Sequence, residues 1–147
     1  MNKALKVILI IGGCVVLLVI VVGGVGVYYV SQHKQEWLEA GNKVMDEGEK
    51  FGRQTDNDGC LAEAIARTKR EPGFNAALGH TIFLRACLEA SRPSPGFCEV
   101  PKRTEFIKSA QWQQQKCQDA GLAADNYCLQ LFTQVQQFCE DKQSKQK

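Results

Sequence analysis

The stretch CQDAGLAADNYCLQLFTQVQQFC, residues Cys117 to Cys139, spaces three cysteines at two equal intervals of eleven positions. The intervals differ in physical content. From Ala124 onward, Tyr127, Cys128, Leu131, Phe132, Val135, Phe138 and Cys139 recur at helical spacing, leaving Gln130, Thr133, Gln134 and Gln137 for other faces. Eleven residues carry a helix about 20° past three turns, so Cys128 and Cys139 share a face about 16 Å apart along the axis. A disulfide needs Cα atoms within about 7 Å, which forbids a bond between these two. The earlier interval crosses the turn AGLAAD, and Cys117 and Cys128 lie symmetrically about its centre between Leu122 and Ala123. Those two can bridge an antiparallel helical hairpin, and Cys139 must reach another segment.

The same symmetry applies upstream. Helical patterns over about 58–70 and 75–90 flank Pro72–Gly73, and Cys60 and Cys87 are nearly symmetric about that turn. The second pattern is apolar on nearly every side (Leu78, Ile82, Phe83, Leu84, Ala86, Leu88), which predicts the central helix of the domain. The loop RPSPGFCEVPKR holds three prolines that cannot continue a helix, and it can deliver Cys98 to the start of a third helix over about 104–118. The expected bridges are therefore Cys60–Cys87, Cys98–Cys139 and Cys117–Cys128. Two nested bridges around one hairpin resemble in arrangement the twin-cysteine coiled-coil-helix proteins of mitochondria, though no Cys-x9-Cys pair occurs here. That resemblance implies architecture alone.

Residues 56–141 thus read as a small all-α domain of two αα-hairpins, in which staples compensate for a limited core. On the third helix, Phe106, Ile107, Ala110 and Cys117 define the expected inward face. Trp112 projects roughly 160° from it. That side chain either packs on the first hairpin or stands exposed as a partner contact. Eleven glutamines from residue 111 onward suit a neutral solvated face, and a polar tail is expected over 142–147.

Residues 1–6 precede VILIIGGCVVLLVIVVGGVGVYYV, Val7 to Val30, a run of 24 residues without a charged side chain. As a helix it spans roughly 36 Å, enough to cross a bilayer. Its length favours an uncleaved signal anchor over a cleavable signal peptide, although Gly24 and Gly26 are small enough for cleavage. IIGGC before Cys14 looks like a lipobox, but a further apolar stretch follows where a polar tether is expected. Lys3 and Lys6 precede the run without acidic neighbours, and Lys34 after it is balanced by Glu36 and Glu39. The positive-inside tendency then keeps the N-terminus cytoplasmic and exports residues 31–147. Six cysteines outside the span suit an oxidising compartment. With no Asn-x-Ser/Thr sequon in the chain, a single-pass protein of a bacterial inner membrane with a periplasmic domain is the expectation.

Residues 31–55 read as a juxtamembrane amphipathic helix. Trp37, Gly41, Val44, Gly48 and Phe51 form a stripe that Leu38 and Met45 widen. Glycines on a stripe lower helix propensity by about 1 kcal/mol each, so they imply the close approach of another helix. That helix belongs to the chain's own domain, or else to a partner or second copy. Trp37, Val44, Phe51 and Trp112 are accordingly the candidate partner contacts. TDNDG, residues 55–59, fails the calcium-loop frame because Gln54 and Ile65 stand where carboxylates are required. A helix cap by Asn57 or Asp58 explains it instead.

Functional classes narrow by exclusion. The exported part carries sixteen basic and sixteen acidic side chains, without the basic footprint of nucleic-acid binding. No Cys-x-x-Cys pair supports a redox or haem site, and no closely spaced ligand pair supports zinc, so neither metal nor cofactor is expected. His80 reads as a partly buried, hydrogen-bonded side chain, and no nucleophile elbow or phosphate loop is present. The expectation is a non-catalytic, membrane-anchored interaction or scaffolding protein. A periplasmic inhibitor or immunity-type protein that binds a toxin or hydrolase is the alternative.

Overall fold

The computed structural model describes residues 3–145, with side chains from Ile10 onward. Among them are five helices and no strand: α1 (Lys3–Gly52), α2 (Asn57–Arg70), α3 (Phe74–Ala90), α4 (Phe106–Asp119) and α5 (Asn126–Lys145). The chain divides into two compact units, residues 1–40 and 41–147. The first unit contains a helix segment apolar enough to cross a membrane, with a mean hydropathy of 2.8 over its most apolar window and none of that window buried. The expected span and juxtamembrane helix both fall within the bounds of α1, which ends at Gly52 rather than residue 55. No proline interrupts residues 7–52. The expected 1–6 and 142–147 termini fall partly outside the described residues. The tail's described part is not a separate segment, because α5 continues through Lys145.

In the second unit α2 and α3 form one hairpin, α4 and α5 the other, and α3 packs on α5. The core joins Phe83, Leu84 and Leu88 of α3 to Leu131, Phe132, Val135 and Phe138 of α5, with all six bonded cysteines in or against it. The bridges are Cys60–Cys87, Cys98–Cys139 and Cys117–Cys128, with Cα separations of 5.7, 5.3 and 6.0 Å. These are the pairs that the symmetry of the two turns predicts.

α1 joins this core through its last three turns. A Cβ on Gly48 would lie 2.5 Å from the Phe83 carbonyl oxygen, and one on Gly52 would meet the Cys87 carbonyl. Only glycine lets the backbones approach so closely; of the two stripe glycines, Gly48 thus meets the domain's own α3, whereas a Cβ on Gly41 would have nothing within 4 Å. Val44 and Phe51 pack against the core, and the Phe51 ring meets Phe83 tilted by 54°, centroids 5.8 Å apart. Arg67 lies over the Phe83 ring at 3.8 Å and bonds Glu47 of α1 at 2.7 Å.

Three expectations are corrected. The α2 cap is Asp56, whose carboxylate accepts from the Gly59 N–H at 2.9 Å. Asn57 is instead buried: its amide donates to Ser91 Oγ at 2.8 Å and its carbonyl accepts from the Ser94 N–H at 3.2 Å, pinning the proline loop. Secondly, Phe106, Ile107 and Ala110 do not face inward. Phe106 and Ile107 are 81 % and 75 % exposed, and Ser109 and Cys117 are the buried residues of α4. The helix is turned by roughly 80° from the expected setting. Thirdly, the glutamines are not all solvated. Gln136 is fully buried on α5, and its carbonyl accepts from Ser109 Oγ at 3.0 Å and Gln113 Nε2 at 2.7 Å. Its amide donates to the Pro101 carbonyl at 2.7 Å. This polar clamp, together with Trp112 edge-on to Phe132 at 5.7 Å, sets the rotation of α4.

Candidate functional site

A helix apolar on every side needs cover on every side, and α3 does not receive it. α1, α2 and α5 leave one face open, where Met45 of α1 and Leu78, Ile82 and Ala86 of α3 floor a groove of 580 Å³. Met45 and Leu78 are about half exposed, at 52 % and 51 %. Glu49, Arg85, Glu89, Gln130 and Gln134 form the rim. Arg85 is fixed there by Glu89 at 2.6 Å and by Asp141 of α5 at 2.8 Å. Burial disfavours its charge, but the hydrogen bonds and charges of Asp141 and Glu89 outweigh that and raise its pKa. The arrangement is an apolar trough with a rigid polar margin, suited to holding a complementary apolar surface.

The expected contact residues separate. Trp37, in the first unit, is 71 % exposed. Val44, Phe51 and Trp112 are half-buried against the domain's own core. Trp112 packs edge-on against Phe132 of α5. The groove residues were missed because apolar character on α3 reads as burial. Its excess over what three neighbouring helices can cover was the available signal.

His80 lies in a different place. It is 7 % exposed and forms part of the wall of two smaller cavities, of 290 and 450 Å³. Its Nδ1 is 3.4 Å from Thr68 Oγ1, and that hydroxyl already donates to the Ala64 carbonyl at 2.9 Å. Thr68 must therefore accept, which puts the proton of the neutral ring on Nδ1. Nε2 makes no hydrogen bond among the described residues. Burial lowers the imidazole pKa from 6.5; Glu71 opposes the shift, and Arg67 and Arg70 reinforce it. Among the described residues no group of three or more His, Cys, Asp or Glu side chains is disposed to hold a metal ion.

These features define a class by architecture: a disulfide-stapled, two-hairpin α-helical domain in a chain that also carries a candidate membrane-spanning helix. No family model, curated protein or solved structure matches the chain.

Proposed function

We propose that the protein is a single-pass, membrane-anchored and non-catalytic protein of the bacterial inner membrane. In this reading its N-terminus is cytoplasmic, and its stapled domain binds or scaffolds a protein partner in the periplasm. The observation that carries the binding role is the open groove. The domain buries Phe83, Leu84 and Leu88 of α3 completely yet leaves Met45 and Leu78 half in water on a margin held by ion pairs. Three disulfides and the lysines before the span support the compartment and the orientation.

Crosslinking in cells tests the binding role. A photoreactive residue at Leu78 is expected to give a discrete adduct that disappears when Ala86→Glu is added. The same probe at the exposed Gln114 of α4 should give none. Equal labelling from both positions, or an adduct indifferent to Ala86→Glu, would remove the groove as the contact surface.

A further inference from the structure

One row of side chains runs the length of α3. Phe74, Leu78, Ile82, Ala86 and Ala90 recur every fourth residue, and all but Phe74 line the groove. Their bulk falls from one end to the other. Phe74 is largely exposed and Leu78 half exposed, so this end stands out from the fold. Ala86 and Ala90 adjoin Gly48 and Gly52 of α1, so small residues leave the other end low. We propose that the groove's occupant is a second copy of this chain. The two α3 helices dock antiparallel about a two-fold axis at Ile82, and the Phe74–Leu78 end of each seats on the Ala86–Ala90 end of the other. This rests on the groove being the contact surface proposed above.

A two-fold contact uses one patch twice, so the patch has to complement itself. The row on α3 does. With the axis at Ile82, Phe74 falls opposite Ala90 of the second copy and Leu78 opposite Ala86, large against small at both ends. Rows of this spacing on two helices align at a crossing of about −50°. The polar positions agree with the same register. Arg85 and Glu89 are the charged residues of α3 that line the groove. Arg85 falls opposite Gly79 of the second copy, where an added Cβ would meet nothing within 4 Å. Glu89 falls opposite Asn75, both exposed, and the amide can donate to the carboxylate. Along the row no charge meets a like charge.

Area sets the strength. The row is about 24 Å long on a helix about 10–12 Å wide, so α3 alone buries roughly 500 Å² over both copies. A stable complex buries about 1,200–2,000 Å². Met45 and Glu49 of α1 flank the row on one side, and Gln130 and Gln134 of α5 on the other. Under the two-fold, the α1 flank of each copy comes over the α5 flank of the other, and a face three helices wide about triples the area. The dimer thus lies at the lower end of that range. It is sparse among dilute copies and fills when one membrane holds many of them.

The test uses the full chain carrying Cys14→Ala, in vesicles of phosphatidylethanolamine and phosphatidylglycerol oxidised with copper phenanthroline. Ile82→Cys lies on the two-fold axis and is expected to give a disulfide-linked dimer. Leu78→Cys should give none alone, being about 12 Å along the helix from the same residue of the second copy, but should link when mixed with Ala86→Cys. Adding Phe74→Ala, which removes an exposed side chain, should lower the Ile82→Cys dimer several-fold. No dimer from Ile82→Cys, equal linkage from Leu78→Cys alone, or indifference to Phe74→Ala overturns the second copy. The photoreactive residue at Leu78 in cells judges the groove separately. An adduct at twice the chain mass is expected; one of another mass keeps the groove and overturns the second copy, and no adduct removes both. Should Ile82→Cys lose a native bridge, energy transfer between copies labelled at the free thiol of Cys14 replaces the disulfide. Equal transfer in wild type and Phe74→Ala then overturns the dimer.

Discussion

Gln136 connects three segments that are distant in sequence: the proline loop, α4 and its own helix. Replacing it by leucine would keep much of its volume but leave the Pro101 carbonyl, Ser109 Oγ and Gln113 Nε2 without that partner. Buried groups left unpaired cost about 1–3 kcal/mol each, so Gln136→Leu is expected to lose roughly 2–4 kcal/mol, read from the urea midpoint. Glu140 does related work nearer the surface. The Arg103 N–H donates to its carboxylate at 2.7 Å, and that backbone bond, followed by the Arg103 side chain, pulls its pKa below 4.5. A depressed carboxylate stabilises the fold above its ordinary pKa, and the contribution vanishes as the pH falls through the lower folded value. Glu140→Gln should therefore weaken the protein at neutral pH and flatten the loss of stability below pH 4.5, as seen in acid denaturation followed by circular dichroism.

α1 makes opposite demands on its glycines. At Gly52 an added side chain would strike the Cys87 carbonyl, whereas at Gly41 nothing lies within 4 Å. Gly52→Val is expected to cost about 1–3 kcal/mol by forcing α1 off α3, with amide protection lost over residues 44–52. Gly41→Ala should instead stabilise the helix by up to about 1 kcal/mol. The stripe itself could be read from the sequence; the helix against it could not, because spacing shows which face is apolar and not which neighbour covers it. The hairpins and the cysteine pairs were readable because turns and disulfides impose distances along the chain. The rotation of α4 was not. It depends on Gln136 meeting Ser109 and Gln113, three polar residues that a hydrophobic pattern assigns to water. The groove escaped for a related reason, since Leu78 on an all-apolar helix carries no mark of being left uncovered.

For the whole domain the three bridges add a covalent frame to the apolar core. In the chain-entropy model each bridge contributes roughly 3–4 kcal/mol, and the 41-residue loop of Cys98–Cys139 about 1 kcal/mol more than the 11-residue loop of Cys117–Cys128. Removing the longer staple with paired serines should therefore lower the denaturation midpoint more than removing the shorter one. Intact mass after alkylation without reductant should show one modified thiol, Cys14, and reduction beforehand should raise the count to seven. The order of the pairs along the chain matters as much as their energy. No bridge crosses another: Cys60–Cys87 closes before Cys98 is reached, and Cys117–Cys128 lies inside Cys98–Cys139. A chain emerging from its N-terminus can thus seal the first ring while the second hairpin is still unmade. The short inner ring can then form before the outer one, since no native pair has to wait for a later cysteine to pass through a closed loop. Such a protein can mature in step with its own delivery, and it has little need of an isomerase to undo early mistakes.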